Sequence, residues 1–376
     1  MCLLCKLFGK NLYDAVVNSG QGETLDAAKI SRTTRRRMPR RNATPSTMAD
    51  VAEAAGVSTA SVSRVLNEPE KVSPDVRARV EAAVEKLAYV RHGPARALAA
   101  RKFHTIGAIV PALGVATFAD AIDALQSRLE SQGFSLLIAS SHYDPDSELR
   151  QIRSLMERGI DGLMLVGHRR RPDVYRRLEE AGIPYVCTYT VDRALGHCVG
   201  YDNADGGRRM IDYLAQLGHR NFGVLTSPTE HNDRIAARFH GMIDRLREIG
   251  VSAPAVVEAP YAIPDGRAGL ATIMRASPNT TAVACTTDLH AVGAIAEARA
   301  LGLDVPKRLS ISGFDDLEIV AEMEPPLTTV HVPSRVIGDR VAEMLIASIS
   351  GRSVTSVIEL TASLVVRSST APPPML

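Results

Sequence analysis

Four short hydroxyl side chains and one arginine fall within seven consecutive residues, Ser58-Thr59-Ala60-Ser61-Val62-Ser63-Arg64. Short hydroxyls can approach phosphate oxygens closely, and a helix starting there turns its unpaired N–H groups toward the same anion. An arginine on that face can fork two donors onto a guanine edge. The chemistry available is recognition of a polyanion. Upstream, between Ser31 and Thr44, lie six arginines (32, 35, 36, 37, 40 and 41) and no acid. The chain carries +2 overall, but its first 104 residues carry +8 and the remainder −6. A basic end on an acidic body points to a polyanionic partner at that end. For residues 31–44 taken alone, a solvated basic tail is an equal alternative.

Other chemistries lack their signatures. There is no Walker loop, GxGxxG, HExxH or GxSxG, so no catalytic residue and no cofactor is expected. Cys2 and Cys5 form one CxxC, but no second Cys/His pair lies near enough to complete a zinc tetrahedron. The ten histidines do not cluster, so no metal is expected. Five cysteines, odd in number and mostly isolated, fit a reducing compartment. Aromatics are 4% with no Trp, which disfavours stacking platforms for single-stranded nucleic acid. No apolar run reaches membrane-span length. The start, Met1 to Gly9, has Lys6 inside a short apolar run and no cleavage site. The expected location is cytoplasmic, with no membrane partner.

Periodicity supplies the elements that must hold these side chains. Met48 to Ala55 reads as a helix ending at Gly56, a turn residue. Ser58 caps a second helix to about Leu66, and Asn67-Glu68-Pro69 breaks it. Ser73 caps a third helix with Pro74 at its first position, placing Val76, Val80, Val84 and Leu87 on one face. Val51, Ala52 and Ala55 can pack against Val57, Val62 and Leu66. This is helix-turn-helix spacing, although a purely structural three-helix bundle would share it. Ala95 to Lys102 is a short Ala/Arg segment with Leu98 as its one large apolar residue, too short to be stable alone. From Thr105 strands alternate with amphipathic helices. The strands are Ile106–Val110, Phe134–Ala139, Gly162–Val166, Pro184–Thr188, Asn221–Leu225, Ala282–Cys285 and Leu309–Phe314. Such alternation predicts parallel sheets covered on both faces, and its length predicts two similar lobes.

The stretches "MADVAEAAGVSTASVSRVLN", "VSPDVRARVEAAVEKLAYV" and "PARALAARK" resemble the head of the LacI/GalR family of bacterial transcription regulators. Further matches follow in family order: "IGAIVP", "GIDGLMLVG", "YDNADGG", "LGHRNFGVL", "ARFHG", "TAVACTTDLHAVGAI", "ISGFDD" and "PPLTTVHVP". They cover roughly residues 46–368, and residues 1–44 have no counterpart. The resemblance implies an all-α helix-turn-helix head and an α/β sensor like a periplasmic binding protein, each lobe a doubly wound parallel sheet. The expected divisions are an extension (1–44), a DNA-binding domain (45–92), a hinge helix (93–103) and an effector-binding and dimerisation domain (104–370). Lobe 1 would comprise about 104–202 and 329–351, and lobe 2 about 203–328 and 352–370.

By resemblance, Thr59, Ala60 and Arg64 fall on base-reading positions. Ser58, Ser61 and Ser63 contact or support the phosphate backbone. Leu98 falls on the hinge leucine that wedges into the operator minor groove; the alternative is packing onto the sensor. Arg238 matches the arginine that holds the effector, Asp288 the acid that accepts from it, and Phe118 a cleft wall. Arg238 could instead be a surface arginine, and Asp288 could also serve as a helix N-cap. The loop Gly167-His168-Arg169-Arg170-Arg171-Pro172, together with Arg234 one turn before Arg238, could favour an anionic effector; solvated arginines are the bland reading. Tyr189 stands where some relatives carry an acid.

The function implied is a homodimeric, sequence-specific repressor, released from a palindromic double-stranded operator by a small molecule, with a sugar or sugar acid favoured. Ligand-strengthened DNA binding is the alternative within the family. A sugar-binding protein without DNA function is the alternative outside it, and an enzyme on this scaffold lacks catalytic motifs. The functional chain is expected to begin near Met38, or residues 1–44 to be dispensable. A proline-rich end without heptads predicts a dimer rather than a tetramer.

Overall fold

The structure, a computed structural model, describes residues 46–89, 102–251 and 253–374. The expectations placed on residues 1–44 and on Leu98 lie outside the described residues. The chain divides into two compact units between residues 91 and 92.

In the first unit, α1 (Met48–Ala55) opens on a capping box. The Thr47 hydroxyl accepts from the Asp50 N–H, and the Asp50 carboxylate accepts from the Thr47 N–H. Gly56 ends the helix with φ +63°, a left-handed turn that a side chain would strain. Ser58 then caps α2 (Thr59–Asn67) by accepting from the Ser61 N–H. Ser73 is the N-cap residue of α3 (Pro74–Lys86), as the sequence leads one to expect, although its hydroxyl makes no capping bond. Pro74, whose ring presets a helical φ, supplies the start instead. Val51, Ala52, Ala55, Val62, Val65, Val80, Ala83 and Tyr89 form the core of this unit. The sequence reading named Leu66 for α2; Val65 is the fully buried neighbour and Leu66 is half-buried.

One side chain in this unit carries more than its sequence position suggests. Arg79 of α3 donates Nε and Nη2 to the Ala55 carbonyl at 3.0 and 2.6 Å, and Nη2 to the Gly56 carbonyl at 2.8 Å. It ties the third helix to the turn that orients α2. Charge-assisted bonds of this kind contribute about 1.5–3 kcal/mol. Arg79→Met is therefore expected to lower the stability of this unit by about that amount. Differential scanning calorimetry of the head transition would register the loss; an unchanged midpoint would remove Arg79 from this role.

The second unit holds two six-stranded sheets. The first has the order β11-β5-β4-β3-β1-β2, from β1 (Thr105–Val110), β2 (Ser135–Ser140), β3 (Gly162–Val166), β4 (Tyr185–Thr188), β5 (Cys198–Gly200) and β11 (Val357–Glu359). The second has the order β12-β10-β9-β8-β6-β7, from β6 (Phe222–Thr226), β7 (Ala255–Glu258), β8 (Ala282–Cys285), β9 (Ser310–Asp315), β10 (Thr328–His331) and β12 (Ser363–Val365). Among the described residues only the β10–β12 pairing is antiparallel. Every residue of β3, β4, β6, β8 and β9 is buried, as expected when helices cover both faces.

The helices are α4 (Ala116–Glu130), α5 (Pro145–Glu157), α6 (Pro172–Glu180), α7 (Asn203–Gln216), α8 (Asp233–Glu248), α9 (Ile263–Ala276), α10 (Asp288–Ala300), α11 (Glu318–Ala321) and α12 (Ser334–Ile349). The C-terminal part of the chain is shared differently from the expected division. Residues 328–331 pair in the second sheet and 357–359 in the first, whereas the sequence reading gave 329–351 to lobe 1 and 352–370 to lobe 2. The chain crosses between lobes twice more after β9. These strands are three or four residues long and each carries polar residues, so no continuous apolar run assigns them to a sheet. Parallel order sends the carboxyl ends of β1, β3, β4, β6, β8 and β9 into loops at one crevice, where ligands meet open α/β sheets.

Candidate functional site

On the head, α2 buries Val62 and Val65 and turns its other side outward. Ser58, Thr59, Ala60 and Arg64 are exposed, and Ser61 and Ser63 are half-buried. Ser58 and Ser61 hydroxyls lie 2.9 Å apart, and Ser63 accepts from the Asn67 amide at 3.3 Å. Among the described residues no carboxylate pairs with Arg64. The face thus combines short hydroxyls, a helix N-terminus and an uncompensated guanidinium, which suits phosphate oxygens and a base edge.

In the crevice, Arg238 is the centre of a buried network. It projects from α8 with its side chain 5% exposed. Nε donates to Asn203 Oδ1 at 2.9 Å, and Nη2 donates to the Tyr201 hydroxyl at 2.7 Å. Nη1 donates to the Thr286 carbonyl and to Asp315 Oδ1, both at 3.0 Å. The guanidinium lies 3.8 Å over the Phe314 ring. Burial works against its charge, but Tyr201 and Asp315 outweigh it and hold the group protonated. The surface-arginine reading is thereby set aside. Phe118 of α4 meets Tyr189 edge-on with ring centroids 5.4 Å apart, and the Tyr189 hydroxyl donates to the Thr117 carbonyl at 2.7 Å. Phe118, Tyr189, Tyr143, Tyr261, Arg238 and Asp315 line one narrow pocket between the lobes.

Asp288 is not part of that lining and is fully buried. Its Oδ1 accepts from the Thr329 hydroxyl at 2.6 Å and its Oδ2 from the Leu317 N–H at 2.8 Å. Thr287 caps α10, so Asp288 is not the cap either. The capping reading is thereby corrected: Asp288 braces β10 and the turn after β9 from beneath. The acid beside Arg238 in the narrow pocket is Asp315, at the end of β9, for which the sequence carries no separate signal. Within "ISGFDD" no spacing signal tells which acid turns inward.

The brace has a pH signature. Burial pushes the Asp288 carboxyl up to about 7, nearby Asp315 adds to the rise, and the Thr329 and Leu317 bonds oppose it. The folded chain therefore keeps a proton that the unfolded chain, titrating near 3.9, has lost. Stability falls as pH rises from about 4 through about 7, by at most about 1.4 kcal/mol per pH unit. Asp288→Asn is expected to abolish this slope. Urea midpoints at a series of pH values would show it; parallel profiles for the two proteins would contradict it.

Beyond Arg238 the crevice opens into a cavity of about 330 Å³ lined by Tyr143, Ser141 and a charged ring. The ring has four arginines (169, 170, 171 and 234) and four acids (Asp144, Glu148, Glu230 and Asp233). Arg170 is buried against Glu148 at 3.3 Å, Arg171 pairs with Asp146 and Asp173, and Arg234 pairs with Asp233 at 2.9 Å. The arginine loop is therefore largely neutralised. A second cavity of about 270 Å³, bounded by Tyr143, Tyr261, Pro228 and Pro260, includes Ser227, whose buried hydroxyl has no partner. Among the described residues no cluster of His, Cys, Asp or Glu could hold a metal, and no helix is long and apolar enough to cross a membrane.

A helix-turn-helix head with an outward hydroxyl–arginine face, joined to a two-sheet body with a polar crevice, defines a DNA-binding regulator that senses small molecules. Residues 47–92 match the model of bacterial regulatory proteins of the lacI family, and 211–370 match a periplasmic binding protein-like domain. The chain is 32% identical over 308 residues to the HTH-type transcriptional regulator GntR of Escherichia coli (strain K12), covering 81% of this chain and 92% of that one. It is 32% identical over 339 residues to the HTH-type transcriptional repressor PurR of Pectobacterium carotovorum subsp. carotovorum (strain PC1), covering 88% and 98%. The lac repressor dimer bound to operator and the anti-inducer ONPF superposes with a TM-score of 0.79 at 26% identity, covering 87% of this chain and all of that one. The chain belongs to the lacI family of bacterial regulatory proteins and is a regulator of transcription.

Proposed function

We propose that this chain is a homodimeric repressor acting in the cytoplasm, whose grip on a palindromic operator is loosened by a small polyhydroxylated effector. Two heads related by a two-fold axis would read half-sites about one helical turn apart. Ser58, Thr59, Ala60, Ser61, Ser63 and Arg64 meet the DNA. Phe118 walls the effector site, Arg238 donates to the effector, and Asp315 accepts from it.

The observation that carries this reading is the buried Arg238–Asp315 pair at the mouth of a balanced, hydroxyl-rich crevice. A donor and an acceptor side by side suit a vicinal diol, which can accept from one and donate to the other. Equal numbers of arginines and acids around the larger cavity favour a neutral sugar over a strongly anionic one; a singly charged sugar acid remains compatible through Arg169. A thermal-shift screen of sugars, sugar acids and nucleobases tests it, because a ligand selective for the folded state raises the midpoint. Stabilisation by a sugar or sugar acid is the expected result, and stabilisation by nucleobases alone would overturn the ligand class.

A further inference from the structure

One carboxylate spans the crevice. Asp233 opens α8 on the second lobe, while Gly167, His168 and Arg169 follow β3 on the first. Asp233 Oδ2 accepts from the His168 N–H at 2.6 Å and from the Arg169 N–H at 3.1 Å. The His168 ring Nδ1 lies 3.0 Å from the same oxygen. The other oxygen stays on its own lobe, accepting from the Arg234 N–H at 3.0 Å and Arg234 Nη1 at 2.9 Å. Gly167 has φ +77°, and a Cβ there would collide with Asp233 and Arg234. A side chain there would have to displace the Asp233 carboxylate and the Arg234 guanidinium from this contact.

We propose that Asp233 and His168 form the latch that holds the two lobes together across the crevice, and that protonation of His168 tightens it. These are positioning residues: they act on an effector through lobe closure, a consequence that rests on the crevice being the effector site.

The sign follows from the groups around the ring. Asp233 faces His168 from α8, with Arg234 beside it. Asp192 faces the ring from the loop after β4, with its Oδ2 4.0 Å from Nε2, and the Thr190 hydroxyl lies 2.9 Å from Nδ1. Cys187 of β4 lies nearby. On the ring's own loop Arg170 is neutralised by Glu148, and Arg169 is exposed. The Tyr175 hydroxyl donates to the His168 carbonyl. The hydrogen bond to Asp233 leads the upward shift of the His168 pKa, with burial opposing it. The Asp233 carboxyl is held below the usual carboxylate range: burial opposes this, but His168, Arg234 and the two N–H donors outweigh it. Protonated His168 therefore favours the latched arrangement. The gain is fully present below the ordinary histidine value near 6.5 and is lost as pH rises through the raised one.

Hydrogen–deuterium exchange of the full chain, with no small molecule added, reads the latch directly at the His168 and Arg169 amides. After correction for intrinsic exchange, their protection should rise several-fold between about pH 8 and about pH 6. In His168→Gln, which keeps a donor but cannot take a charge, protection should persist and its pH dependence vanish. Asp233→Ala should remove the protection while β1 amides keep theirs. If Asp233→Ala does not fold, Asp233→Asn should show weakened, pH-independent protection. A flat wild-type profile, or equal pH dependence in His168→Gln, would overturn the proton's role. Full protection in Asp233→Ala or Asp233→Asn would overturn the latch. Each outcome is independent of whether any effector is found.

Discussion

Arg238→Ala is expected to lower the unfolding free energy of the body by about 3–5 kcal/mol and to abolish any response to effector. The loss is large because the guanidinium is woven into the interior. Removing it leaves Asp315 buried without its cation, and Asn203, Tyr201 and the Thr286 carbonyl each without a donor. An uncompensated buried charge, more than the missing contacts, dominates that cost. Arg238→Met combined with Asp315→Asn should recover a substantial part of the stability, since the orphaned charge is gone, while effector response stays absent. Urea unfolding of the single and double variants measures the first effect, and operator titration with and without effector the second. If Arg238→Ala is nearly as stable as the wild type, the pair is not the structural hub described above.

Arg64→Ala is expected to weaken binding to the preferred operator by about 1–3 kcal/mol, roughly five- to 150-fold, and to relax base preference at one position of each half-site. Arg64 is exposed, pairs with no carboxylate among the described residues, and lies one turn beyond Ala60 on the outward face of α2. A guanidinium held there gains most by forking onto a guanine edge. If it only touches phosphate, binding would weaken equally on all sequences and the salt slope would fall by about one. Titrations of specific and scrambled duplexes at two salt concentrations separate the cases.

Where the sequence was informative, local rules and tertiary packing agreed. Thr47 and Ser58 cap their helices through side-chain bonds, and Gly56 adopts the left-handed turn that helix-turn-helix spacing requires. Strands β1, β3, β6, β8 and β9 were legible because parallel strands buried on both faces read as apolar runs. Legibility failed where position depends on distant partners. Asp288 carries the recognisable motif, yet its carboxylate is claimed by Thr329 and Leu317, residues 41 and 29 positions away. Asp315 takes the crevice only because β9 ends there, with φ +123° turning the chain. In sequence the arginines at 169–171 fit an anion site and solvated side chains equally well. Neutralisation of Arg170 and Arg171 by Glu148, Asp146 and Asp173 needed the fold, since two of those acids come from α5. Arg79 gave no motif signal, because its partners are backbone carbonyls more than twenty residues away.

One titration reads the coupling between head and body. Fluorescence anisotropy of the full chain would be recorded on a duplex selected from a random pool and on its scrambled counterpart, at physiological salt. Each would be measured with and without a stabilising small molecule from the thermal-shift screen. The expected result is specific binding with Kd of about 10⁻⁸–10⁻¹¹ M, roughly a thousandfold or more tighter than to the scrambled duplex. The ligand should weaken it by about 5–150-fold. Equal affinity for both duplexes, or a ligand that stabilises the body yet leaves operator affinity unchanged, would contradict it.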